Sequence, residues 1–154
     1  MGTDFMSYNN VITNLKYFLK SYPICEENCK IHSGFMNHYK SLENSLIKNI
    51  VELNKDYPSA SVIVTGHSLG GAIATLARLK LEIILPSDVN ITLITFGSPK
   101  VGNAAFADCM NHLRSLSYRF VRIGDFVTNL PPFPRFVHSG IEIDEALFLD
   151  TLNP

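Results

Sequence analysis

The stretch SVIVTGHSLGGAIATLARLKLEIIL, residues 61–85, decides which fold this sequence can adopt. Its first part, SVIVTG, is a short run of mostly β-branched residues, which is typical of a buried strand. Its last part, residues 70–85, combines small and apolar side chains in the manner of a helix packed on a sheet, and Pro86 ends it. Between them lies GHSLG, residues 66–70, so a strand is predicted to turn sharply into a helix at Ser68.

Strands and helices alternate along the rest of the chain. The sequence predicts a short strand at 31–35, a helix at 38–55, a strand at 91–96, a helix at about 104–114, a strand at 118–123, a proline-rich loop at 124–136 and a last strand at 141–143. This order predicts an α/β fold, a mostly parallel sheet flanked by helices in one domain over residues 1–154. Ligands of such sheets bind beyond the carboxyl ends of the strands, so functional residues should follow strands.

Composition excludes several classes of protein. Apolar residues make up 46% of the 154 residues and charged residues 18%, which is the composition of a globular domain. The formal net charge is −1 and no Lys/Arg block stands out, so nothing indicates a nucleic-acid partner. The sequence shows no apolar run long enough to cross a membrane and no signal peptide at its start.

The pentapeptide GHSLG fits the G-x-S-x-G motif, and its place between a strand and a helix is the context that a nucleophile elbow requires. A sharp turn would strain the backbone of Ser68 and lift its hydroxyl out over the sheet edge, and side chains at Gly66 or Gly70 are expected to collide with neighbouring backbone. The N–H of Leu69, at the helix N-terminus, could stabilise an oxyanion. The alternative is that Ser68 merely caps the helix.

A serine hydroxyl needs a base to act as a nucleophile. Of the five histidines, His67 adjoins Ser68 and cannot point back at it, His32 lies on a predicted strand before the motif, and His38 and His112 lie in or beside helices. His138 lies in a loop near the end of the chain. We therefore predict that His138 is the base, in the chain order serine, acid, histidine.

The acid that orients this base should lie between Ser68 and His138. Glu82 and Asp108 fall inside predicted helices, and Asp88 precedes a strand, which puts it at the wrong edge of a parallel sheet. Asp125 follows the strand at 118–123, so it should share the carboxyl edge with Ser68. We predict that Asp125 holds the tautomer of the histidine that accepts the serine proton.

Three cysteines leave more than one interpretation open. Cys25 and Cys29 lie close together before a predicted strand, where they could form a local disulfide or remain thiols. A metal site built from this pair and His32 lacks an evident fourth ligand. Cys109 is predicted to be a small buried residue of a helix.

Five segments together resemble the class 3, or fungal-type, triacylglycerol lipases, a family that includes feruloyl esterases. The segments are KIHSGF (30–35), VTGHSLGGA (64–72), TFGSPKVGN (95–103), RIGDFVTNLPP (122–132) and FVHSGIE (136–142). The resemblance implies a serine hydrolase that needs no cofactor and acts on esters, most of all acylglycerols, at a lipid–water interface. It also implies the secretory route, and Asn90-Ile91-Thr92 is a glycosylation sequon.

Matched motif by motif, the resemblance implies Ser68, Asp125 and His138 as a catalytic triad. It implies Thr3 as the second oxyanion donor beside Leu69, a lid over residues 4–12, and a short-range disulfide between Cys25 and Cys29 that leaves Cys109 outside it. Only Met1 precedes Gly2-Thr3, where the family has an arginine and a strand. We therefore expect a shortened or partial family domain in which Thr3 is poorly held.

Three functional interpretations follow from these residues. The first is an active ester hydrolase on acylglycerols, with Ser68, Asp125 and His138 as its triad. The second is a catalytically weak or silent relative that serves as an interaction module. The third is a hydrolase of another acyl bond, such as a feruloyl ester. Turnover of a short-chain ester separates the second from the others.

Overall fold

The computed structural model describes residues 18–25 and 28–144. The elements in chain order are β1 (Leu19–Ser21), β2 (Lys30–His32), α1 (Ser33–Asp56), β3 (Val62–His67), α2 (Leu69–Ile84), β4 (Ile91–Phe96), α3 (Ala104–Asn111), β5 (Ser117–Val121), a 3-10 helix (Phe126–Asn129) and β6 (Ile141–Asp144). The predicted elements are therefore present, with boundaries shifted by a few residues.

The main sheet has four strands in the order β3-β4-β5-β6, and every neighbouring pair is parallel. This confirms the predicted α/β architecture. The carboxyl ends of β3 and β4 lie side by side, because His67 pairs with Phe96. The segments after β3, β4 and β5 consequently begin at one edge of the sheet, which is where the fold class places its ligands.

The core lies between this sheet and its helices. Helix α2 packs on β3 and β4, and α1 packs against α2. Ile91, Leu93 and Thr95 of β4 are buried, whereas Ile63 on the edge strand β3 is 66% exposed. Within the described part of the chain, no helix combines the length and the apolarity that a membrane span requires.

The strand predicted at 31–35 ends early, at His32, because that residue caps α1. The His32 Nδ1 accepts hydrogen bonds from the backbone N–H groups of Gly34 (3.1 Å) and Phe35 (3.3 Å). Burial lowers the pKa of His32 to about 4, so the ring stays neutral near neutral pH and keeps the lone pair that the cap needs. Histidine is not among the usual capping residues, which is why the sequence pattern missed this helix start.

The predicted disulfide between Cys25 and Cys29 is wrong, because the structure joins Cys25 to Cys109, with Cα atoms 5.8 Å apart. The start of α3 lies against β2, and the Asn103 side chain accepts from the Lys30 N–H at 3.0 Å. This contact brings Cys109 beside Cys25, while Cys29 is buried outside the bond.

Loss of the Cys25–Cys109 bond should lower the free energy of unfolding by about 4.5 kcal/mol, because the bond joins residues 84 apart in the chain. The comparison is the Cys25→Ser, Cys109→Ser double variant against the parent protein in chemical denaturation. Peptide mapping without reductant should recover the two cysteines in one linked fragment, and Cys29→Ala should leave that fragment intact. A fragment that links Cys25 to Cys29 would contradict this pairing.

Candidate active site

Ser68 lies in the sharp turn between β3 and α2. Its backbone has φ 52° and ψ −122°, and it is the only non-glycine residue with positive φ in the described part of the chain. Such a conformation costs of the order of 1–3 kcal/mol and persists only where the surroundings enforce it. Here the Ser68 N–H donates to the Phe96 carbonyl at 2.9 Å, which ties the turn to β4. The predicted strand-to-helix turn is confirmed.

The Ser68 side chain does not cap α2, which excludes the alternative role considered for it. The residue is buried, and its Oγ has no hydrogen-bond partner among the described residues. A buried hydroxyl without a partner is uncommon in folded proteins and often marks a functional group. Leu69 is the first residue of α2, so its N–H is one of the donors that a helix leaves unsatisfied.

Glycines allow the backbone of the Ser68 turn to lie close to α2. The predicted need for glycine holds at one of the two predicted positions and not at the other. A Cβ at Gly66 would lie 2.3 Å from the Gly70 carbonyl oxygen, so this position requires glycine. A Cβ at Gly71 would lie 2.8 Å from the Cβ of Ser98. The expected collision at Gly70 is wrong, because a Cβ there would meet no described atom within 4 Å.

Asp125 follows β5 and caps the 3-10 helix, so it lies at the predicted sheet edge. One carboxylate oxygen, Oδ1, accepts from the Val127 N–H at 2.9 Å. The other, Oδ2, lies over Gly97, 2.8 Å from where a Cβ would stand, and the Nε2 of His67 lies 3.6 Å from the same point. Gly97 has φ +53°. This glycine was missed from the sequence, where the only signal was its place directly after strand β4.

His138 is not joined to Ser68 or to Asp125 by a hydrogen bond. Its Nε2 lies 2.6 Å from the Thr128 carbonyl oxygen, and the Ser68 Oγ has no described partner. Asp125 and His138 do line the same polar cleft of about 240 Å³. The two hydrogen bonds expected of the triad are therefore not found, and the role of His138 as base stays a prediction.

The topology of the sheet explains this placement. A Cβ at Gly140 would lie 2.8 Å from the Oγ of Ser117, the first residue of β5, so the chain enters β6 at the amino edge of the sheet. Ser68 and Asp125 follow their strands and lie at the carboxyl edge, whereas His138 precedes its strand.

The pKa of His138 is lowered to about 4, mainly by burial and then by the positive charge of Arg119, with a smaller effect of Lys100. The hydrogen bond to the Thr128 carbonyl and the charge of Glu142 raise this pKa, but by less. The ring is therefore neutral at neutral pH. His38 and His112 are exposed. Thr3 and the lid predicted at 4–12 lie outside the described residues.

The family profile for class 3 lipases matches residues 1–134. This chain belongs to the class 3 lipase family. It is 40% identical over 140 residues to a lipase of Rhizomucor miehei, a match that covers 88% of this chain and 38% of the relative. It is 32% identical over 127 residues to the secreted mono- and diacylglycerol lipase 1 of Fusarium solani, covering 82% and 37%.

Among solved structures, the class 3 lipase fold of this chain is similar to that of a triacylglycerol lipase whose catalytic centre is described as a serine protease triad. The TM-score is 0.83 and the sequence identity 38%, over 88% of this chain and 52% of the other. The chain thus spans about half of that structure and less than two fifths of the curated relatives. Recognition of the family from its sequence motifs is confirmed.

Proposed function

We propose that this protein hydrolyses carboxylic esters through an acyl-enzyme formed on Ser68. The observation that carries the proposal is the strained, buried Ser68 at the turn into α2, with an Oγ that no described residue engages. Strain of this kind is kept where it aims a reactive group. The lipase relatives and the triad attributed to one of them support the same reaction class.

In this reaction the Ser68 Oγ attacks the ester carbonyl carbon and its proton passes to a base. The Leu69 N–H donates to the oxyanion that forms, which stabilises the transition state. Collapse of the tetrahedral intermediate expels the alcohol, which takes up that proton from the base. Water then attacks the acyl carbonyl and gives a proton to the base, and the Ser68 Oγ leaves with this proton as the acid is released. Asp125 is proposed as the carboxylate that orients the base and stabilises its protonated form.

The assignments of the base and of the second oxyanion donor have less support than the assignment of Ser68. The sequence predicts His138 as base, but that role would require its Nε2 to leave the Thr128 carbonyl, 2.6 Å away. The sequence predicts Thr3 as the second donor, which lies outside the described residues. The proposal therefore rests on Ser68, Leu69 and Asp125.

Acylglycerols are the proposed substrates, since the relatives include lipases and a mono- and diacylglycerol lipase. Secretion and action at a lipid–water interface belong to the same proposal, because that relative is a secreted protein and a similar fungal lipase, 39% identical, is connected with interfacial activation.

A fluorophosphonate probe should modify this protein at Ser68, and a panel of soluble and emulsified esters should reveal hydrolysis with a preference for acylglycerols over feruloyl esters. The reason is that the probe reacts only with an activated serine, and Ser98, which is also buried, serves as an internal control. Peptide mapping by mass spectrometry locates the adduct. An unmodified Ser68 together with no turnover of any ester would contradict the proposal and favour a silent relative.

A further inference from the structure

We propose that His138 is a positioning residue, which holds the turn that carries Asp125 by donating its Nε2–H to the Thr128 carbonyl. This inference rests on the proposed function, because it assigns His138 a part in placing the carboxylate of that site. It gives the histidine a role other than the general base that the sequence alone predicts.

A short network connects the histidine to the carboxylate. The His138 Nε2 lies 2.6 Å from the Thr128 carbonyl oxygen, and the Thr128 hydroxyl donates to the Asp125 carbonyl oxygen at 2.8 Å. The Asp125 Oδ1 accepts from the Val127 N–H at 2.9 Å, and the Asp125 N–H donates to the Arg122 carbonyl at 3.0 Å. The last three bonds each span three residues or fewer, so a contact that fixes Thr128 also restrains Asp125.

The acceptor determines the tautomer of the ring. A backbone carbonyl can only accept, so Nε2 must carry the proton in its bond to Thr128. A base for Ser68 would need an unprotonated ring nitrogen directed at the serine Oγ, and that oxygen has no described partner. In this arrangement the Nε2–H of His138 is already used in the hydrogen bond to the Thr128 carbonyl.

The backbone on both sides of His138 is held by hydrogen bonds, which fix the position of the residue. The Val137 N–H donates to the Gly102 carbonyl at 2.9 Å, and the Gly140 N–H donates to the Asn111 side-chain oxygen at 2.7 Å. These bonds anchor the segment to the start and the end of α3. Thr128 is itself buried. The turn is also held at its end, where the Lys100 N–H donates to the Leu130 carbonyl at 2.7 Å, and the histidine adds a second tie at Thr128.

The first test is the tautomer of His138 in the full chain, read from the nitrogen chemical shifts of protein labelled with ¹⁵N-histidine. At pH 7 we expect the Nε2–H tautomer, with an Nε2–H proton resonance shifted by its hydrogen bond to the Thr128 carbonyl. The exposed His38 supplies a reference ring in the same spectrum. An Nδ1–H tautomer, which a histidine bonded to Asp125 would show, overturns the proposal whether or not the protein turns over esters.

The second test compares His138→Gln with His138→Ala in turnover of a soluble ester. The glutamine amide can donate to Thr128 but cannot act as a base, so glutamine should keep activity close to that of the parent protein. Alanine should lower kcat about tenfold with little change in KM, since one hydrogen bond is lost. His38→Gln is the matched control.

Two outcomes of this comparison would overturn the proposal. Glutamine and alanine could both lose roughly a hundred- to ten-thousand-fold, as removal of a general base would cause. Alternatively, alanine could lower only the melting temperature and leave kcat unchanged, which would indicate a purely structural histidine. Failure of the proposed function is distinguishable, because the parent protein would then turn over no ester, or its turnover would survive Ser68→Ala, and the tautomer measurement stays valid in both cases.

Discussion

Replacing Ser68 by alanine should lower ester turnover by roughly ten-thousand-fold or more, because it removes the nucleophile on which the acyl-enzyme forms. Residues 66–70 of the strained turn contain no other side-chain oxygen. The measurement is kcat/KM on a short-chain ester, together with the loss of fluorophosphonate labelling.

Ser98→Ala is the matched control for this experiment. Ser98 is as buried as Ser68 and also follows a strand of the sheet, but its backbone is not in the positive-φ region and its Oγ bonds the Pro99 carbonyl at 3.3 Å. We expect it to keep turnover within a few-fold. Residual activity in Ser68→Ala above one hundredth of the parent rate would be incompatible with a serine nucleophile at this position.

Replacing Gly66 by alanine should lower the free energy of unfolding by about 5 kcal/mol, at the extreme of single substitutions. The new Cβ would lie 2.3 Å from the Gly70 carbonyl oxygen, 2.4 Å from the Gly70 carbonyl carbon and 2.7 Å from the Gly71 nitrogen. All three are backbone atoms of the first turn of α2, so the clash cannot be relieved by rotating a side chain. The helix would have to move away from β3, and the Ser68 turn would move with it.

Gly70→Ala is the matched control, since a Cβ there meets nothing described within 4 Å and its φ is not positive. It should stabilise the protein by up to about 1 kcal/mol, because alanine favours a helix over glycine. Urea unfolding of the two variants beside the parent measures both effects. Equal stabilities of Gly66→Ala and Gly70→Ala would show that the close approach at the turn has been misjudged.

The nucleophile turn was predictable from sequence because everything it needs is local. A β-branched strand, a glycine, a serine and a helix with small residues lie within one continuous stretch, and each local preference favours the same geometry. Asp125 was predictable for a related reason. It follows a strand, and in a parallel sheet that alone places a residue at the edge where the nucleophile lies.

The sequence analysis did not predict where His138 lies, although the argument from the edges of a parallel sheet, which excluded Asp88, applies to His138 as well. Both residues precede a strand, and the backbone that enters a parallel strand lies at the amino edge, although the His138 ring reaches the Thr128 carbonyl in the turn after β5. The strand Ile141–Asp144 is four residues long and gives a weak periodic signal, so its direction in the sheet did not enter the prediction. The acceptor of the His138 ring, a backbone carbonyl, carries no sequence signature at all.

The cysteine pairing failed for another reason. Proximity along the chain favours Cys25 with Cys29, but the partner is decided by how β2 meets α3, a contact between residues more than seventy positions apart. Side chain to backbone bonds such as that from the Lys30 N–H to Asn103 depend on the finished fold. No local pattern in the sequence reports them.

The hydrogen-bond ladder of the sheet runs one step past the ends of its strands. The Ser68 N–H donates to the Phe96 carbonyl and the Gly97 N–H donates to the Phe120 carbonyl, each at 2.9 Å. The positions of Ser68 and of Gly97, which lies against Asp125, therefore depend on the register of the sheet. Since a shift of one residue turns every side chain of a strand to the opposite face, an insertion or deletion within β4 would displace the Ser68 turn and Gly97 together, whereas a substitution within the strand would leave this register intact.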